Sequence, residues 1–247
     1  MENEAALSRD ITRSIRVDIV GNPDDVNGPL YAINWFDTRI AVIYHFYNLI
    51  AAPRVYKIDG KPLFKGKCKE TIGGDPEMAR QFLLIVNYPS GTRFLDLVSD
   101  RIFQLTSVFR IMAVKRFSFV FHKRKEIHQH PPAGQKFDAS DCYAVLHFKK
   151  RDDGNNDDGN NDDRLSELDG IATAHGAEIF FAGSVTGQVV LVKKSGERDP
   201  SSFITDSTVL FKTSDQQAMA KLFDSAEMKA LLSAATGYFA SYIKRTI

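Results

Sequence analysis

Cysteine is nearly absent, with two residues in a chain of 247. Cys68 and Cys142 form no C-x-x-C pair and no zinc spacing, which excludes a metal finger and a disulfide scaffold. Buried thiols are expected, with a single bridge between the two as the minor alternative. An excess of either charge is also missing: 32 Lys and Arg stand against 31 Asp and Glu, for a net charge of +1. That balance argues against a general polyanion binder and leaves room for a local basic patch. No apolar run reaches membrane-spanning length, because Arg, Asp or His interrupts each one. The acidic first ten residues contain no apolar stretch, so no signal peptide is read and a cytoplasmic chain is expected. A glycine-rich phosphate loop is absent too, and Ser184 in Ala182-Gly-Ser-Val-Thr-Gly187 does not form a G-x-S-x-G elbow. At 43% hydrophobic and 11% aromatic residues, the chain can build one large core or two that share a wall.

A faint repeat organises the chain. Tyr31-Ala-Ile-Asn-Trp-Phe36 reads in register with Tyr143-Ala-Val-Leu-His-Phe148, and both alternate as strands do. Ser99 to Ser107 can be laid on Ser225 to Ser233, and strand-like runs follow at Arg116–Phe121 and Tyr238–Ile243. In the second half, a strand at Cys142–Lys149 precedes a helix at Arg164–His175, which Gly176 ends by adopting a left-handed conformation. An extended piece, Ala177–Ala182, then leads through a Gly183/Gly187 turn to Val189–Val192. A strand at Ser207–Lys212 follows, then a helix over Asp215–Ala235 broken where Ser225 caps a new turn. The first half repeats this order, with helices at Asp37–Ala52 and, broken, at Ser90–Phe109. The expected fold is α+β: two tandem ferredoxin-like βαββαβ units. Their bounds are 28–127 and 138–247, after an extension at 1–27 in which Arg13–Val20 reads as an extra strand. Residues 128–137 form a Pro/Gly linker, and the Asp/Asn/Gly repeat of 152–163 reads as a disordered acidic loop.

Tyr143-Ala-Val-Leu, Ala174-His-Gly-Ala-Glu-Ile179 and Asp224-Ser-Ala-Glu-Met228 resemble the dimeric α/β-barrel superfamily. The nearest likeness is to an uncharacterised family close to the EthD-like and antibiotic-biosynthesis-monooxygenase-like groups. The resemblance covers about 100 residues of the second half; in the first half Ala52-Pro-Arg-Val-Tyr56 replaces the Gly-containing turn. It implies two units packed sheet to sheet within one chain, an intramolecular pseudo-dimer around a ligand cavity. It also implies a small-molecule-binding barrel, either a cofactor-independent enzyme of oxygenase, isomerase or cyclase type or a non-catalytic carrier. A homodimer of the fused chain is a further expectation, and membrane and nucleic-acid partners are not expected.

Alternation on the first strands sends Ala32, Asn34 and Phe36, with Ala144, Leu146 and Phe148, toward the helices. It sends Tyr31, Ile33 and Trp35, with Tyr143, Val145 and His147, into the lumen, as would suit orientation of a ligand. Tyr238 is assigned to the same cavity, and His147 is the general acid/base candidate because its ordinary pKa lies near neutrality. Neither a cofactor nor a metal is expected. His122, His128 and His130, with Glu126 between them, read as exposed linker residues rather than metal ligands. The acidic loop lacks calcium-loop spacing. The run Lys115-Arg-Phe-Ser-Phe-Val-Phe-His122 has basic and aromatic residues like an RNA-recognition strand, but it falls on the fourth strand of its unit instead of the third.

Overall fold

A computed structural model describes residues 15–21, 28–124, 138, 140–149, 159–193 and 205–246. The first strand, β1 (Ile15–Gly21), precedes β2 (Leu30–Thr38), α1 (Ala41–Lys57), β3 (Lys61–Gly74) and β4 (Phe82–Tyr88). The helices α2 (Gly91–Ser99) and α3 (Arg101–Ala113) lead into β5 (Val114–Arg124). Next come β6 (Cys142–Lys149), α4 (Gly159–Ala174), β7 (Glu178–Lys193) and β8 (Ser207–Thr213). Helices α5 (Gln216–Asp224) and α6 (Ala226–Ser233) precede the last strand, β9 (Gly237–Arg245).

The strands hydrogen-bond in the order β7-β5-β2-β4-β3-β9-β6-β8, and β8 pairs back onto β7. Every pairing is antiparallel. Among the described residues the result is an eight-stranded closed antiparallel barrel with six α-helices outside, an α+β architecture. Closure leaves no long barrel edge to recruit another strand, and β1 extends the sheet by pairing with the second half of β7. Within each half the first strand has the fourth and third as its neighbours: β2 lies between β5 and β4, and β6 between β9 and β8.

Alternation divides each strand between two cores. Ala144, Leu146 and Phe148 join the helix residues Leu168, Leu222 and Met228 in one apolar layer outside the barrel. Leu30 and Ala32 lie under Phe94 and Leu97 of α2, while Phe36 lies under Tyr44 and Tyr47 of α1. Tyr31, Ile33, Trp35, Tyr143 and Val145 face the lumen with Phe64, Phe181 and Leu210.

The helix breaks have a clear local cause. Asp100 ends α2 and accepts the Phe103 amide at 2.8 Å to start α3. Ser225 ends α5 and accepts the Met228 amide at 3.1 Å to start α6, each cap satisfying an orphan donor. The two caps shift the expected equivalence of Ser99 with Ser225 by one residue. Gly176, at φ +73°, terminates α4, as its sequence position suggested.

Four boundaries depart from expectation. The Gly183/Gly187 turn does not exist, since β7 runs unbroken through both residues. A Cβ on Gly183 would lie 2.9 Å from His122 Cβ and 3.0 Å from Phe181 Cζ, so this glycine clears space for lumen side chains. Helix α1 begins four residues late, after Asp37 and Thr38 have stayed in β2, and continues through Pro53 to Lys57. It stops at Asp59, whose φ of 59° is left-handed. Helix α4 starts at Gly159, so residues 159–163 of the predicted acidic loop are helical. Residues 152–158 of that loop, and His128 and His130, lie outside the described residues.

Candidate functional site

Trp35 on β2 and His147 on β6 sit at matching places in their halves. Trp35 pairs with Ser118 and Leu83, and His147 with Phe239 and Thr208. The two strands run parallel on opposite walls, so their side chains meet across the lumen, ring centroids 4.9 Å apart and edge to face. Phe239 completes the layer, 5.7 Å from Trp35. His147 Nδ1 lies 2.9 Å from Thr208 Oγ1. Burial pushes the His147 pKa down to about 3, assisted by the nearby His122 and Arg80 charges. The imidazole is therefore neutral at physiological pH.

Residues 75–81 cross the mouth above this layer. Asp75 accepts the Glu77 amide at 2.9 Å and sets the turn. Trp35 Nε1 donates to the Met78 carbonyl at 2.7 Å, and Met78 and Ala79 pack on the lumen core. Arg80 is buried in the same segment, donating through Nη1 to the carbonyls of Glu77 and Ala79. At the end of β2, Asp37 accepts the Gln81 amide at 2.8 Å and binds Arg116 at 2.6 Å. Arg116 holds a left-handed φ of 43°, next to the register shift between β2 and β5. Beside this ion pair opens a cleft of about 270 Å³ bordered by Cys68, Glu70, Arg80, Lys115 and Phe239. Burial, with the Asp37 charge, pushes the Cys68 thiol pKa up, so the thiol stays protonated and unreactive. Cys68 and Cys142 are both free.

Tyr31 and Tyr143 occupy the opposite end. Four residues along a strand separate them from Trp35 and His147, about 13 Å. Tyr31 packs on Phe181 at 5.4 Å and Tyr143 on Phe64 at 5.0 Å. Arg245 lies over Phe64, Tyr143 and Phe180 and donates to the Tyr143 hydroxyl at 3.2 Å. Arg124, at the corresponding end of β5, lies over Tyr31 and Phe181. Ile33, Val145 and Leu210 fill the layer between the two ends. Of the residues assigned to the cavity, the fold thus joins Trp35 with His147 and places both tyrosines elsewhere.

Tyr238 is a correction. It pairs with Phe148 and packs on the helix-side core, and its neighbour Phe239 reaches the lumen in its place. His122 is another. It is fully buried on β5 beside Phe181, and burial pushes its pKa down to about 3. Phe119 faces α2 and α3, and the Arg110 guanidinium lies over Phe117 and Phe119, so these aromatics present no stacking platform. Among the described residues, no group of three or more His, Cys, Asp or Glu is arranged to hold a metal ion. No described helix is long and apolar enough to cross a membrane. Thr208, Arg80 and the Asp37–Arg116 pair went unread in the sequence because strand register and the folded-over 75–81 segment create them. The run Gly73-Gly-Asp-Pro76 was the local turn signal available.

No protein-family model matches the chain, and no curated protein matches it. Solved structures do. An anthrone oxidase-like protein aligns at TM-score 0.51 and 14% identity over 93% of this chain and 95% of its own. A mutant chlorite dismutase from Candidatus Nitrospira defluvii aligns at TM-score 0.52 and 8% identity, covering 89% and 93%. A second mutant of the same enzyme aligns at TM-score 0.52 and 9% identity, covering 90% and 93%. At such identities the likeness is one of fold.

Proposed function

We propose that this chain is a small-molecule-binding barrel built from two fused ferredoxin-like units, 28–127 and 138–247, with its ligand site at the Trp35–His147 end. The observation that carries the reading is the meeting of these two equivalent first-strand residues beneath residues 75–81, beside the Asp37–Arg116 cleft. An aromatic wall with a few fixed polar groups suits a flat, mostly apolar molecule. Displacing the 75–81 segment would expose Trp35, His147 and Phe239 together. A neutral His147, oriented by Thr208, then offers a lone pair to an acidic C–H or O–H. The resulting imidazolium would be stabilised by the substrate anion left beside it. Such proton transfer is the core of a cofactor-independent reaction. The names of the solved neighbours, an oxidase-like protein and a dismutase, are compatible with small-molecule chemistry on this fold.

A second reading is a non-catalytic carrier. What favours it is the depressed pKa of His147, since a base held this weak gains a proton only at a cost. Trp35 is the sole tryptophan, so its emission reports on the site directly. Titration with a panel of phenols and aromatic ketones should give a saturable change in Trp35 fluorescence, weakened at least about tenfold in Trp35→Phe by calorimetry. A flat response across the panel removes the site. Turnover abolished by His147→Gln, with binding retained, identifies the enzyme, and binding without turnover identifies the carrier.

A further inference from the structure

The outer helical layers of the two halves differ in a way the candidate site does not explain. Among the described residues, all nine exposed large apolar side chains lie between Ile40 and Tyr56 or between Ile102 and Met112. These segments form α1 and α3, which pack side by side, with Phe46 and Phe109 edge to face at 5.3 Å. The second half instead exposes Glu167 and Thr173 on α4, Lys221 on α5 and Glu227 on α6.

The exposed positions follow a helical seam. On α1 they are Val42, Phe46, Leu49, Pro53 and Tyr56, at steps of four, three, four and three. On α3, Ile102, Leu105 and Met112 are exposed, and half-buried Phe109 completes steps of three, four and three. This spacing is that of a heptad seam, which packs knobs into the holes of a facing helix. No Asp, Glu, Lys or Arg occurs in 41–53 or in 102–109. Of the cations near the seam, Arg54 pairs with Asp100 at 3.6 Å and Arg110 with Asn34 and the Phe117 ring, while Arg39, Lys57 and Arg101 are exposed at the helix ends. A lipid-surface helix carries basic residues along the length of its polar face, and the charge-free spans 41–53 and 102–109 offer none.

We propose that the α1–α3 face binds the same face of a second copy of this chain, forming a two-fold dimer with a four-helix contact. A second copy supplies the matching seam without charge repulsion, as an isologous interface requires. Side chains exposed by 42% to 78% across nine positions present on the order of 800 Å², the area each partner contributes to a standard stable interface. Leu49 and Leu105, 75% and 69% exposed, are its central contacts. The dimer stands apart from the ligand site, because α1 and α3 lie on the far side of the sheet from the lumen.

Sedimentation velocity on the full chain tests this. The wild type should sediment as a dimer, and the double variant Leu49→Glu, Leu105→Glu should associate at least about a hundredfold more weakly, with unchanged circular dichroism. Thr173→Glu, on the second half's polar face, should leave association unchanged. If the two charges impair folding, Val42→Ser with Leu49→Ser provides the same test at positions mostly exposed in one chain. A wild type that stays monomeric overturns the proposal, as does a dimer that survives both charges. A monomer that floats with vesicles of anionic phospholipid also overturns it and assigns the face to a lipid surface.

Discussion

The two halves of the barrel repeat one strand order and one helix break, yet they use the positions differently. In the first half the lumen residue of the first strand is Trp35, anchored through its indole N–H to a covering segment. In the second half it is His147, anchored sideways to Thr208 on the neighbouring strand. The helical faces diverge too, apolar over α1 and α3 and polar over α4 to α6. Backbone order requires only that inward and outward positions alternate and that helices bury one stripe. Everything beyond that is left to each half, so a shared fold carries two unlike walls and two unlike outer surfaces.

Three measurements test this contrast. The largest effect is expected from Trp35→Ala, which empties a fully buried site and removes the Met78 hydrogen bond. A loss of about 3–5 kcal/mol is expected by urea unfolding, whereas Tyr238→Ala, half-buried on the helix side, should cost less. Equal losses would mean that the lumen layer is no better packed than the sheet exterior.

The second is acid unfolding. His122 and His147 have folded pKa values pushed down to about 3 from the ordinary 6.5. Between these values the unfolded chain binds more protons, so stability is intact above about pH 6.5 and falls as pH drops toward 3. At pH 5 each histidine should cost about 2 kcal/mol. His122 lies in the first half and His147 in the second, so His122→Gln and His147→Gln should each flatten the slope by about one histidine. A slope untouched by either substitution would place both rings in contact with water.

The smallest effect concerns the helix breaks. Asp100→Ala and Ser225→Ala each remove one cap; the Ser225 change should cost about 1 kcal/mol by thermal unfolding. Asp100 should cost the more of the two, because its carboxylate also pairs with Arg54. Backbone amides at the α3 start, together with Arg54, hold its pKa below the usual carboxylate value. Two equal losses would show that the charge adds nothing to the cap.

The α+β class was legible because it rests on local signals: alternating apolar strands, a cap at a helix break, and Gly176 at a helix end. Where local signals misled, a tertiary contact had overridden them. Gly183 looks like a turn residue, but it is a strand position that His122 and Phe181 require to be small. His122 looked like part of a linker because histidine tolerates water; β5 runs on through it into the lumen. Tyr238 and Phe239 are adjacent aromatics, and only the pairing of β9 with β6 decides which one turns inward.

From the residues alone, Ala32, Asn34 and Phe36 share one face and Tyr31, Ile33 and Trp35 the other, since a period of two needs no knowledge of the partner strand; which face meets the helices depends on packing. The restart of the second broken helix was equally legible at Ser225, since a capping side chain acts within three residues of its own position. Folding is needed for Trp35 to meet His147, for Thr208 to orient the imidazole, and for residues 75–81 to close the mouth. Those contacts join residues 43 to 112 positions apart, and barrel closure fixes them through strand register, which no local pattern encodes.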